Sequence, residues 1–371
     1  MIPADRNDQG DTMGLSEDRA AMRSRLGTWG AWIGALTAVP AALGRPTAAA
    51  VEAAGYTCLW YPEGMGVRES FSNGAVLLGA TDKIMIASGI TNVWARDALA
   101  SASASRTLND SFDDRFLLGL GVSHPPQVDP RGTTYLKPVA KMREYLSQLN
   151  ATEFSTPDPS ADPVAPVQTI IAALRKPMLE VARDLSLGAH PYLVPVEHTA
   201  RAREIMGPDP LLIPEHKVII ETDADKARER ARGAIGWYLQ IENYKKNLIW
   251  MGFTEDDIAN GGSDRLIDAL VAHGDPETVV AKLREHLDAG ADQVAIQALG
   301  DESDPTGITQ LQQLAPLLNS RDQLCFGARH QSKADPASSR SRCRGGSSCS
   351  SAWARSVPRR CQGCGGRTRS A

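Results

Sequence analysis

The feature that most constrains this chain is a repeated alternation between short apolar runs and longer amphipathic stretches. From Thr28 onward eight segments read as buried strands: "TWGAWIGAL", "YTCLWYP", "KIMIASGI", "RFLLGLGV", "VQTIIAAL", "GAHPYLV", "EHKVIIET" and "ADQVAIQAL". They are apolar along their length rather than at alternate positions, which calls for a sheet covered on both faces. Helix-like stretches follow them, among them "RPTAAAVEAAG", "YLKPVAKMREYLSQL" and "DPETVVAKLREHLDAG", the last with Asp at its N-cap and Pro in its first turn. Strands alternating with helices build a parallel α/β sheet, and eight units favour a closed TIM (β/α)8 barrel over an open doubly wound sheet. An open dinucleotide-binding sheet would carry a glycine fingerprint, and "GLGVSH" has His124 where its third glycine belongs. Between the last two strands, "DADKARERARGAIGWYLQIENYKKNLIWMG" and "SDRLIDALVAHG" read as helical insertions.

Charge divides the chain unevenly. Residues 321–371 hold ten Arg and one Lys against two Asp, a local charge of +9, so the first 320 residues sum to −13 of the total −4. The expected organisation is a flexible leader over 1–24, helical at "SEDRAAMRSRL", a barrel over 25–320, and a Ser/Arg/Gly/Cys-rich tail over 321–371. The tail has no apolar periodicity and cannot bury a core. It carries five of the six cysteines, and its single C-x-x-C (Cys361, Cys364) lacks the second ligand pair of a structural zinc site. "NATEFSTPDPSADPVAP" is a surface loop by its Pro, Asp and Ser content. An acidic body argues against nucleic acid as the main partner. No run approaches the roughly 18 apolar residues of a membrane span. The polar, acidic start does not read as a signal peptide, so the cytoplasm is the expected compartment.

In a closed barrel, reactive groups gather where strands end. After the second strand comes Glu63, beside Trp60 and Tyr61, a carboxylate that burial could tune into an acid or base. After the third come Ser88, Gly89 and Asn92: Gly89 lets backbone approach a flat ligand, and the other two offer hydrogen bonds to ring heteroatoms. Arg96 and Asp97 pair with each other or open the next helix. Gly119 and Gly121 strip side chains from one face of the fourth strand, leaving space for a ligand, and His124 follows at the rim as a proton carrier. "AALRKPML" opens a helix, where free amides with Arg175 and Lys176 favour a phosphate. His190 in "GAHPYLV" is read as pointing to the site, with Tyr192 two residues on. No H-E-x-x-H, G-x-S-x-G or metal-ligand cluster stands out, and no metal is expected. Each of these residues has a plain structural alternative: a rim carboxylate, a loop-bonded histidine, a surface charge.

"IASGITNVWARD", "RFLLGLGVSHPP", "ARDLSLGAHPYLVPVEHTARAREIMGPD" and "GGSDRLIDALVAHGDPETVVAKLREHLDAGADQV" resemble the luciferase-like oxidoreductases, in particular the actinobacterial branch assigned to the deazaflavin cofactor F420. The resemblance runs over residues 25–318 and leaves 321–371 without a counterpart. It implies a barrel whose insertions cover the mouth, with the deazaflavin ring over the strand ends. By position it implies Ser88, Gly89 and Asn92 in the ring-binding segment, Gly119 and Gly121 along the ring, and Ala173, Leu174, Arg175 and Lys176 around the phosphate. The reaction implied is hydride transfer to or from a small organic substrate, by alcohol oxidation or reduction of an activated double bond. His124 is the first proton partner and Glu63 the second. FMN on the same barrel, as an oxidoreductase or monooxygenase, is the alternative cofactor, and a non-catalytic F420-binding barrel the alternative role. Relatives of this kind are often homodimers.

Overall fold

All pairings between strands are parallel, and every apolar run of the sequence supplies one. The computed structural model describes residues 8–153 and 166–320. Its strands are β1 (Trp29–Trp32), β2 (Cys58–Tyr61), β3 (Met85–Ser88), β4 (Thr91–Asn92), β5 (Phe116–Gly121), β6 (Thr169–Ile171), β7 (Gly188–Ala189), β8 (Leu211–Leu212), β9 (Glu215–Ile220), β10 (Val271–Gly274) and β11 (Val294–Ala298). Their order is β10-β9-β11-β1-β2-β3-β5-β6-β7-β8, with β4 alongside β5.

The ring closes through β8 and β9, which act as one interrupted stave. Leu211 and Leu212 pair with Gly188 and Ala189 of β7, and Glu215 onward pairs with β11 from Ala295. Between them Pro214 has no N–H to give, so the stave changes neighbour there. Its carbonyl accepts from Ala295 N at 2.9 Å, and that of Leu212 accepts from Asp292 N at 2.9 Å. β3 and β4 form a second interrupted stave, so eight staves complete the barrel. β10 lies outside the ring on the flank of β9. The sequence reading took "SDRLIDALVAHG" as helical throughout. Its helix stops at Leu270, and β-branched Val271 starts a strand on the exposed edge of β9.

Alternate residues point inward. Trp32, Trp60, Ala87, Leu117, Ile170 and Ile213 are among those filling the interior. The leader holds a helix, Asp8–Leu26, which takes in the expected helical stretch "SEDRAAMRSRL". Met22 and Leu26, each 1 % exposed, join the interior cluster from the end where the strands begin. Arg19 donates to Asp209 (2.6 Å) and to the Ser186 carbonyl (2.8 Å), and Arg23 to Asp292 (2.8 Å) and the Asp209 carbonyl (2.6 Å). The helix therefore plugs the barrel floor. No helix among the described residues is long and apolar enough to cross a membrane. The tail, its cysteines, and most of the Pro-rich loop lie outside the described residues.

Candidate active site

At the opposite end, where the strands finish, a cavity of about 560 Å³ opens between the loops. It reaches the interruption between β3 and β4, where the Gly89–Ile90 peptide bond is cis. Bare backbone is required there. A Cβ on Gly89 would lie 2.7 Å from Trp32 Nε1, 3.0 Å from His190 Nε2 and 3.3 Å from the Trp60 ring. Both nitrogens are buried without a hydrogen-bond partner among the described residues. His190 Nδ1 lies 2.7 Å from the Ile213 carbonyl, which can only accept, so Nδ1 carries the proton and Nε2 is left as an acceptor. The ring stacks on Trp60 at 4.4 Å, and burial pushes its pKa down to about 4, which keeps it neutral. The notch thus offers one donor, the Trp32 indole N–H, and one acceptor, His190 Nε2. A flat heterocycle whose edge carries adjacent C=O and N–H groups complements that pair.

Above the notch stands His124, which precedes the short helix Pro125–Val128. Desolvation lowers its pKa to about 4. Its ring lies 5.2 Å from that of Tyr244, in an aromatic wall completed by Tyr192, Tyr238 and Trp237. The Tyr192 hydroxyl lies 3.2 Å from that of Tyr238 and 3.1 Å from Gln297 Oε1. Beneath the Tyr192 ring, at 3.9 Å from its centroid, is the Lys217 ammonium, itself 3.0 Å from Glu215 and fully buried with it. Burial disfavours both charged forms, raising Glu215 and lowering Lys217, while their contact opposes each shift.

Of the expected residues, the cavity is lined by Glu63, Gly89, Gly121, His124, Ala173, Leu174, Arg175 and His190. Four others do not line it. The Ser88 hydroxyl bridges the strand interruption, accepting from Gly119 N (3.0 Å) and donating to Gly119 O (2.9 Å) in place of a ladder bond. Asn92 turns its Oδ1 to Trp94 N at 3.0 Å, a local turn bond. Gly119 leaves room for protein, not ligand: its Cβ would sit 1.8 Å from the Ser88 carbonyl. Lys176 points to solvent beside Glu180. Gly121 lines the cavity, yet the space of its missing side chain is taken by Ile90, 2.4 Å from a Cβ.

Glu63 is not a free acid. It accepts from Asn92 N at 2.7 Å and pairs with both terminal nitrogens of Arg96, one at 3.0 Å, with its side chain 4 % exposed. Its task is to hold the β3–β4 turn against the loop after β2. Asp97 instead caps the next helix, accepting from Ala100 N at 2.7 Å. Arg175 stands at the N-cap of the helix Lys176–Leu185 and donates to Asn243 O (3.0 Å) and Oδ1 (2.8 Å). It therefore ties the insertion to the rim. The sequence reading missed Trp32, Gln297, Tyr238 and Tyr244. The first two follow from counting inward positions on β1 and β11, whereas the tyrosines sit on an insertion whose fold back over the mouth leaves no local trace. Among the described residues no three metal-ligating side chains converge.

The luciferase-like monooxygenase family profile matches residues 30–293. The chain is 25 % identical over 280 residues to 5,10-methylenetetrahydromethanopterin reductase of Methanolobus tindarius, covering 66 % of this chain and 86 % of that one. Over a shorter stretch of 123 residues, 33 % of each chain, it is 32 % identical to a Mycobacterium tuberculosis protein named as a coenzyme F420-dependent oxidoreductase. In three dimensions it is similar to the coenzyme F420 dependent tetrahydromethanopterin reductase of Methanopyrus kandleri, with a TM-score of 0.61 at 17 % identity over 78 % of this chain and 97 % of that one. The parallel barrel, the blind cavity at its strand ends and the profile match over most of the chain place this protein in the luciferase-like family.

Proposed function

We propose that the chain is an F420-dependent oxidoreductase of the mycobacterial type, moving a hydride between the deazaflavin and a small organic substrate. The observation that carries this reading is the Gly89 notch, with an unpartnered donor and an unpartnered acceptor on either side of bare backbone. The edge of a deazaflavin presents alternating carbonyl and N–H groups, which Trp32 Nε1 and His190 Nε2 match. The likeness to the methanogen reductase along two thirds of the chain and to the mycobacterial protein over a third supports the same choice. Ala173, Leu174 and Arg175, at the start of the helix Lys176–Leu185, face the cavity where an anionic cofactor tail gains from free amides and a guanidinium.

When bound, the deazaflavin supplies a two-electron hydride acceptor or donor. The rest falls to the chain. Trp32, Gly89 and His190 orient the ring, and the aromatic wall of Tyr192, Tyr238 and Tyr244 keeps water from the reacting carbon. His124, neutral at physiological pH, takes the hydroxyl proton of an alcohol as that carbon gives up its hydride. The lowered pKa keeps the ring unprotonated and open to a proton, as a weaker base than an ordinary imidazole.

Titrating the purified protein with F420 and separately with FMN, read by absorbance and fluorescence, tests the cofactor. Micromolar or tighter binding of F420 is the expected outcome, and preference for FMN overturns it. His124→Gln is expected to keep F420 affinity and lose about 10²-fold in turnover. Unchanged turnover removes His124 from the chemistry.

A further inference from the structure

The cavity has a chemical character that narrows the substrate. Among the described residues, two of its lining side chains, Glu63 and Arg175, belong to the Asp, Glu, Lys and Arg set. Glu63 is committed to Arg96 and Asn92 N, and Arg175 to Asn243 at the helix start assigned above to the cofactor tail. Among the described residues, no uncommitted formal charge therefore faces the space in front of His124. A carboxylate or phosphate placed there would lose its hydration without gaining a partner.

The rim adds a second, independent observation. Large apolar side chains left exposed gather at this mouth: Met65 at 44 %, Val67 at 40 % and Trp237 at 49 % all line it. Leu136, 62 % exposed, follows the lining residue Tyr135. They come from three separate segments, the loop after β2, the loop after β5 and the insertion between β9 and β10. An apolar rim leading to an aromatic wall is what a hydrocarbon or aryl group needs on its way out of water. Uncharged polar groups, among them His124, the Tyr238 hydroxyl and the Gln297 amide, line the reacting end and can meet a substrate oxygen.

Resting on the oxidoreductase reading, we infer that the substrate is an uncharged, predominantly apolar alcohol, or its ketone or aldehyde product. Its hydrocarbon or aryl part lies against Trp237, Met65 and Val67, and its single oxygen faces His124. In oxidation the substrate's C–H bond breaks with both electrons passing to F420, its hydroxyl proton passes to His124, and a C=O bond forms.

The test needs no turnover. The full-length protein is titrated with a neutral aryl ketone, 6-propionyl-2-(dimethylamino)naphthalene, whose fluorescence shifts to the blue in apolar surroundings. The bound probe is then displaced by 2-alkanones from butanone to decanone and by their ω-carboxylated counterparts. Displacement is expected to strengthen about two- to fourfold per methylene. The carboxylates should compete roughly 100-fold more weakly than alkanones of equal length. Affinity flat with chain length, or carboxylates that match the alkanones, overturns the inference. Trp237→Ser is expected to weaken probe binding about tenfold and Trp237→Phe less than about threefold, both with wild-type circular dichroism. Unchanged binding in Trp237→Ser overturns it too. F420 titration of the same samples separates the two readings. Loss of F420 binding with the alkanone series intact defeats the cofactor and keeps the substrate class, whereas F420 binding with carboxylates preferred does the reverse.

Discussion

Gly89→Ala puts the site to its most direct test, because one methyl group is added where three rigid side chains converge. The new Cβ would lie 2.7 Å from Trp32 Nε1, 3.0 Å from His190 Nε2 and 3.3 Å from Trp60 Cε3. Ordinary carbon contacts are about 3.5–4.0 Å, so the overlaps run from a few tenths of an ångström to nearly one. None of the three neighbours can swing aside: Trp60 is 0 %, His190 1 % and Trp32 4 % exposed, and His190 is also tied to Ile213. Overpacking of this kind costs about 1–3 kcal/mol of stability. The methyl also occupies the notch itself. Losing two cofactor hydrogen bonds at about 1–1.5 kcal/mol each, with the ring displaced, weakens F420 by roughly 10²-fold. Fluorescence titration gives the affinity and urea unfolding the stability. A folded variant that binds F420 within about threefold of wild type would refute the assignment of this notch.

Other expectations come from the same geometry. Gly119→Ala should fail to give soluble protein, since its Cβ would meet the Ser88 carbonyl at 1.8 Å, and soluble, stable protein would contradict the packing. Arg96→Met leaves the Glu63 carboxylate buried and unpaired, a loss of about 3–5 kcal/mol by denaturant titration, while Glu63→Gln should keep most F420 affinity. Alcohol oxidation should hold level from pH 8 to pH 6, because His124 titrates near 4, and a loss of about fourfold over that interval would mark an unshifted imidazole. Stability should follow pH through His190 and His198, both held near 4 by burial against about 6.5 unfolded. The unfolded chain binds the protons first, so this stability is present above about pH 6.5 and is lost as pH falls toward 4. Each contributes about 2 kcal/mol of loss between pH 7 and pH 5. An unfolding midpoint unchanged over that range would argue against it.

Strand positions were legible in the sequence because burial on both faces leaves mostly apolar residues, as in "KIMIASGI" and "ADQVAIQAL". The short staves β4 and β8 were not, since two residues carry no period, and their pairing depends on a hydroxyl at Ser88 and a proline at Pro214. The same limit explains the site. A residue such as Gly89 or His124 sits next to a strand end and can be found by counting. Ser88 ends β3 and Gly119 lies two residues before the end of β5, yet the interruption between β3 and β4 turns them toward each other and away from the cavity. Glu63 was placed at the rim as expected, but its partner Arg96 lies 33 residues along the chain, a distance at which spacing says nothing about contact. The leader helix was legible only over "SEDRAAMRSRL", because it buries few apolar side chains and is fastened mainly by Arg19 and Arg23.

That helix bears on kinetics as well as on folding. With Met22 and Leu26 stopping the far end, the barrel is a cul-de-sac. Whatever rests on Gly89 must come in before a molecule that stands between Trp237 and His124, and can depart only after it. Among the described residues that mouth is the way in, so steady-state patterns should be those of ordered addition, with reduced F420 competing against F420 and the alkanone product competing against neither the alcohol nor the cofactor.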